Sequence, residues 1–208
     1  MARMIDPATD RLSTASLERV AALHADALPS SLVTILGMPF VREFYRFVAR
    51  SPLERLVLCG EGDAITGACV LSLAPATLER RLAGATRMLL WMVARLPQLP
   101  LRALARDALR RTPRPPGSAP TGRNAPELIL IFTDAHARGQ GQGAELIAAV
   151  EAFLRARGDR RYLIRTFDQE DHAAVRFYRR HGFVDAGRLT ARGSAFRLMD
   201  KDLTPPPA

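Results

Sequence analysis

A glycine-rich hexad, Arg138-Gly-Gln-Gly-Gln-Gly143, stands between an apolar run, Glu127-Leu-Ile-Leu-Ile-Phe-Thr133, and a run with helical character from Ala144 to Leu154. Strand, glycine turn and helix in that order constrain this chain more than any other feature. Glycine lets the backbone approach a bulky anion and take dihedrals that other residues avoid. The first N–H groups of a helix have no intrahelical acceptor, and the macrodipole places partial positive charge beside them. The order therefore predicts a cradle for a pyrophosphate.

Two nucleotide cradles fail on residue identity. A P-loop needs Lys and then Ser or Thr after its last glycine, whereas Gly143 is followed by Ala144 and Glu145. A dinucleotide fingerprint spaces its glycines as G-x-G-x-x-G, whereas here they fall at Gly139, Gly141 and Gly143. The hexad does fit Arg/Gln-x-x-Gly-x-Gly/Ala, through Arg138, Gly141 and Gly143. Downstream, Ala174-Val-Arg-Phe-Tyr-Arg-Arg-His-Gly-Phe183 fits A-x-x-F-Y-x-x-x-G-F. With both motifs in place, residues 126 to 200 resemble the GNAT superfamily of acetyl-CoA-dependent N-acyltransferases.

That resemblance implies an α/β GNAT acyl-CoA N-acyltransferase fold, a mixed twisted sheet flanked by helices and split near Thr133 to admit acetyl-CoA. It implies cofactor contacts from the strand backbone at Ile131, Phe132 and Thr133, and from Arg138, Gly139, Gln140, Gly141, Gln142 and Gly143. It also implies a backbone N–H after Thr133 left free for an oxyanion. Relatives carry Asn three residues before the signature alanine, where it helps to hold the cofactor; here that position is Asp171, which can cap a helix but has no amide to donate. Tyr178 is placed by the resemblance near the thioester sulfur, as the acid that protonates the leaving thiolate. A phenol with its ordinary pKa near 10 holds that proton at neutral pH. Packing against the sheet is the other use of this ring, and Phe177 beside it can supply that.

Glu127 is the candidate base, on a strand position that serves so in some histone acetyltransferases of the superfamily. Regular alternation would set it on one face with Ile129, Ile131 and Thr133. Asp134 and His136 are its rivals near the cradle, and His136 has the more suitable intrinsic pKa; a water is a third route.

The charge of +9 comes almost wholly from arginine, since Lys201 is the only lysine. One reading is GC-rich codon usage, which enriches arginine; the other is an anionic partner, and coenzyme A is such a partner. Nucleic acid is disfavoured, because the arginines are dispersed and few aromatics interleave them. Cys59 and Cys69 fall on two strands of one hairpin, with Cys59 opposite Thr66, so they read as free thiols of a reducing cytoplasm. Four scattered histidines and two cysteines show no metal-ligand spacing, so no metal is expected. The start of the chain lacks the apolar stretch of a signal peptide, and no apolar run reaches the ~18 residues of a membrane span.

Periodicity predicts strands at 2–6, Arg55–Cys59, Ile65–Leu73, Glu127–Thr133, Tyr162–Phe167, Phe183–Arg188 and Ala195–Met199. Helices are predicted over Leu17–Ala27, capped by Ser13 or Ser16, over Pro39–Ala49, from the hexad to Gly158, and over Glu170–His181. Residues 1–204 read as one domain, with 205–208 a frayed tail. Within it, residues 76–125 form an insertion of basic apolar helices, Leu78–Leu96 and Leu101–Arg111, and a Pro-rich linker. Its run Met88–Val93 has no polar break. The function expected is N-acetylation of a primary amine from acetyl-CoA by direct transfer, with a small-molecule acceptor and a homodimer possible. A membrane-surface or interaction protein built on the insertion, and a non-catalytic acyl-CoA binder, are the alternatives.

Overall fold

The computed structural model describes residues 2–29, 31–84, 125–168, 173–191 and 194–204. Asp171, the tail 205–208 and residues 85–124 of the insertion, including Met88–Val93 and the Pro-rich linker, lie outside them.

Seven strands form one sheet: β1 (Ala2–Ile5), β2 (Glu54–Cys59), β3 (Gly67–Ser72), β4 (Glu127–Thr133), β5 (Arg161–Phe167), β6 (Val184–Ala191) and β7 (Ser194–Asp202), in spatial order β1-β2-β3-β4-β5-β7-β6. All neighbours run antiparallel except β4 and β5, which are parallel. The helices are α1 (Thr14–Ala27), α2 (Leu32–Ile35), α3 (Met38–Arg50), α4 (Pro75–Gly84), α5 (Gln142–Arg157) and α6 (Ala173–Arg180). The short α2 has no counterpart in the sequence pattern, because four residues show no helical period. Ser13 caps α1, its hydroxyl accepting from the Ser16 N–H, and Gly158 ends α5 in the left-handed region, as their positions predicted.

Alternation along the strands divides the core in two. On one face, Leu17, Val20 and Ala21 of α1 and Phe40, Val41, Phe44 and Val48 of α3 pack on Leu56, Leu58, Ala68, Val70 and Phe132. On the other, Leu146, Ile147, Val150 and Leu154 of α5 and Tyr178 of α6 pack on Val57, Cys59, Cys69, Leu71, Leu128 and Ile164. Cys59 stands opposite Gly67, one residue beyond the expected Thr66, and Cys69 opposite Val57. Both cysteines are free and buried.

Helix α4, the root of the insertion, is tied to the sheet by charge. Glu54 on β2 is fully buried. Its carboxylate accepts from Arg81 Nη1 at 2.6 Å and Nη2 at 2.7 Å, from Ser72 Oγ at 3.0 Å, and from the Ser51 hydroxyl. A buried carboxylate is tolerated only when paired and hydrogen-bonded, and removing one partner of such a pair costs about 3–5 kcal/mol.

Candidate acetyl-transfer site

The sheet is split between its two parallel strands. β4 and β5 pair only at Glu127–Leu163 and Leu128–Ile164. Both strands then run on, to Thr133 and Phe167, without pairing to each other. The opening therefore begins after Leu128, well before the Thr133 that the sequence reading assigned. The N–H following Thr133 is not free either, since Asp134 N donates to Thr66 O at 2.7 Å. The unpaired backbone edge of β4 facing β5 lies earlier, within 129–133.

A bulge lies within the same stretch. The β3–β4 register steps from Val70–Leu130 to Leu71–Leu128, so two residues of β4 oppose one of β3. The extra residue inverts the alternation. Leu128 and Ile131 pack on the α5/α6 side, while Ile129, Leu130 and Phe132 pack on the α1/α3 side. Glu127 consequently does not share a face with Ile131, contrary to the regular-strand expectation. It points to the α1/α3 face, where it is buried beside Arg165 of β5. Arg165 Nε donates to Glu127 Oε1, and Nη2 to Oε2 at 3.1 Å, a fork on the two lips of the split where they part.

The cradle follows β4. Asp134 accepts from the His136 N–H at 3.0 Å and from Arg19 Nη2 of α1 at 2.7 Å. The first of these, and then Arg19, hold its carboxyl below the ordinary aspartate value against the opposing effect of desolvation. So held, Asp134 clamps the loop to α1. His136 sits exposed on the 3-10 turn Ala135–Ala137. Gly139 and Gly141 take φ of 79° and 82°, the left-handed region that favours glycine. Gly141 is the N-cap of α5 and gives the helix no side-chain cap. Glu145 N is the first to bond back, to Gly141 O at 3.0 Å, and the N–H groups of Gln142, Gly143 and Ala144 find no acceptor among the described residues. An uncapped helix start with exposed glycines is suited to a phosphate. Gly143 has a different reason to be glycine: a Cβ there would lie 3.0 Å from Cε2 and Cζ of Phe177. It lets α6 close onto α5. The Gln142 Oε1 is buried with no hydrogen-bond partner, an acceptor left over at the base of the cradle.

Tyr178 lies on the α5/α6 face in one cluster with Leu128 and Ile131 of β4 and Ile164 of β5, so its ring belongs to the core at the split. Its hydroxyl has no hydrogen-bond partner among the described residues. Burial, and then the nearby Cys69 thiol, push its pKa well above the ordinary 10, so it holds its proton at neutral pH. Burial likewise raises both thiols, foremost at Cys69. Neither cysteine has the depressed pKa of a nucleophilic thiolate.

Three participants escaped the sequence reading. Arg165 and Arg19 are two of many dispersed arginines, and only the fold shows which carboxylates they meet. His24 is buried on α1 and bonds Tyr45 Oη at 2.7 Å and Ser31 Oγ at 2.9 Å; its helical spacing from Leu17, Val20 and Ala21 was the one available signal. Among the described residues no three His, Cys, Asp or Glu side chains gather to hold a metal ion, and no helix is long and apolar enough to cross a membrane.

Residues 101–183 match the acetyltransferase (GNAT) family. Similar solved structures include a crystal structure of an acetyltransferase (16% identical, TM-score 0.62, covering 98% of this chain and 100% of that one). Others are aminoglycoside 6'-acetyltransferase type Ii (14%, 0.59, covering 100% and 99%) and the ribosomal-protein-S18-alanine N-acetyltransferase of Escherichia coli (11%, 0.57, covering 100% and 97%). At these identities the likeness is one of fold. No curated protein matches the chain. The family match spans both the glycine hexad and the segment carrying Tyr178, the two elements that flank the split, and over that segment the chain is similar to the GNAT family of acetyltransferases.

Proposed function

We propose that the protein transfers an acetyl group from acetyl-CoA directly to a primary amine, with Tyr178 as the acid and Glu127, acting through water, as the base. The family implies the use of acetyl-CoA, which brings an activated thioester. The observation that carries the reading is the parting of β4 and β5 after Leu128, next to an uncapped helix start. The free N–H groups of α5 and the glycine backbone suit the pyrophosphate, and the unpaired edge of β4 suits the amide-bearing arm that leads into the split.

Faces of the sheet divide the labour. Tyr178 lies on the α5/α6 side and Glu127 on the α1/α3 side. A displacement at an acyl carbon forms the C–N bond and breaks the C–S bond, with one proton taken from the amine and one given to the thiolate. An acid and a base on opposite sides of the opening serve those two transfers without competing. Arg165 keeps the Glu127 carboxylate oriented, and water relays the proton to it. A covalent acyl-enzyme is disfavoured because both thiols are buried and held protonated.

The acceptor we propose is a small-molecule amine. The apolar stretch Met88–Val93 of the insertion supports it, since a wall or lid over the acceptor side would cover those side chains. The similar structures named above act, by their names, on an aminoglycoside and on a ribosomal-protein alanine, so the fold serves small and protein amines alike. A panel of small amines, amino sugars, amino acids and peptides offered with acetyl-CoA, read by thiol release, tests the reading. Release with a small amine, lost in Tyr178→Phe, is expected. No release above the hydrolytic background with any amine would overturn it.

A further inference from the structure

Arg197 of β7 is the most deeply buried arginine among the described residues, at 2% exposed. It shares a parity with Met199, and so points to the α5/α6 face where Tyr178 lies. Its Nε and Nη2 donate to Asp168 Oδ1 at 3.2 and 3.0 Å, and its Nη1 to Asp185 Oδ2 at 3.0 Å. Arg188 meets the other oxygen of Asp168 at 2.9 Å, and Arg179 meets Asp185 Oδ2 at 3.1 Å.

The partners are placed with respect to the split. Asp168 directly follows β5, the far lip of the opening, and its N–H donates to Ala195 O at 3.0 Å. Arg179 directly follows Tyr178. The network therefore ties the end of the lip to the last turn of the helix that carries the acid. Helix α6 has only eight residues, too few to be stable without tertiary anchors. One anchor is Phe177 against Gly143. A second is the Arg179–Asp185–Arg197–Asp168 chain. Between them they fix how α6 is rolled over the sheet, and hence where the Tyr178 hydroxyl points.

We propose that Arg197 is a positioning residue for Tyr178, holding the acid against the β5 lip through Asp168 and Asp185. This rests on the reading of Tyr178 as the acid. A displacement of about 1 Å at a reacting group can cost roughly 10²-fold in rate. Arg197→Lys keeps the charge and loses the planar fork that serves two carboxylates at once.

The test is a double-mutant cycle on the full chain, with acetyl-CoA affinity by calorimetry and kcat on the best amine of the panel. Arg197→Lys should lower kcat at least tenfold, with acetyl-CoA affinity changed less than twofold. In the Tyr178→Phe background it should lower kcat no further, because the group it positions is gone. An equal loss in both backgrounds, or an unchanged kcat in Arg197→Lys, overturns the proposal and leaves the acid reading standing. An unchanged turnover in Tyr178→Phe alone sinks the acid reading, and this role for Arg197 with it. If Arg197→Lys does not yield folded protein, Asp168→Asn, which keeps its shape and loses its charge, decides in the same cycle.

Discussion

His24 should make the fold lose stability in mild acid, and the size of the loss follows from its surroundings. The imidazole sits among Phe44, Tyr45 and Phe132, ring centroids 5.6–6.2 Å away. Tyr45 is fully buried and its phenol is pushed to stay protonated, so it donates to His24 Nδ1, and Nε2–H donates to Ser31 Oγ. The Ser31 hydroxyl donates in turn to Thr34 Oγ1 at 2.9 Å. A charged imidazole would need Nδ1 to donate as well, which would turn the Tyr45 hydroxyl into an apolar cluster. Burial accordingly lowers the His24 pKa from 6.5 to about 4. The unfolded chain binds this proton below pH 6.5 and the folded one only near 4. The contribution is therefore whole above 6.5, declines as pH falls and is gone below about 4. At ~1.4 kcal/mol per pH unit the full swing is about 3 kcal/mol. Urea unfolding of the wild type and of His24→Gln from pH 7.5 to 4.5 isolates it, because the carboxylates shared by both proteins cancel in the difference. The stability gap between the two should shrink by about 2.5 kcal/mol over that range. Parallel curves would show that His24 already titrates as it does when unfolded, and the neutral-network account would be wrong.

Tyr178→Phe should lower turnover by roughly 10²–10⁴-fold with acetyl-CoA affinity little changed; stopped-flow thiol release and calorimetry read the two separately. Gly141 and Gly143 should fail for different reasons. Gly141→Val imposes a left-handed residue on the cradle and should abolish acetyl-CoA binding, while Gly143→Ala drives a Cβ into Phe177 and should cost about 1–3 kcal/mol of stability and slow turnover, checked by thermal unfolding and kcat. Glu127→Gln should flatten the acidic limb of the rate–pH profile and His136→Ala should not; the opposite pattern would move the base to His136. Deleting residues 85–124 behind a short turn should keep acetyl-CoA binding and lose acceptor selectivity. Extending that deletion back to Thr77 removes Arg81, strands the Glu54 carboxylate, and should cost a further ~3–5 kcal/mol, measured by urea unfolding.

The elements were legible where local chemistry is decisive. The Ser13 cap, the Gly158 stop, the Glu127–Thr133 strand and the glycine hexad each announce themselves within a few residues. What was not legible arises from pairing across the chain. Period-two reasoning assumes a regular strand, and nothing between Glu127 and Thr133 marks a bulge, since no glycine or proline interrupts the run. Yet that one extra residue decides which side of the sheet Glu127 occupies. In a regular strand it would face α5 and α6 with Ile131, on the same side as Tyr178. The bulge carries it to the α1/α3 face, where Arg165, one residue past the last pairing on β5, closes on it. A strand that both bends away from its neighbour and inverts its alternation creates, in one step, the opening and two chemically distinct sides to it. The insertion enters at the same end of the sheet, because its root is fixed by Glu54, which lies in register with Ser72, itself in register with Glu127. Two buried carboxylates, each held by an arginine from another segment, thus flank Ser72 on the α1/α3 face. That row ties the lip of the split to α4, the root of the segment that we propose covers the acceptor, so an amine arriving from this side would meet Glu127 on the face to which α4 is anchored.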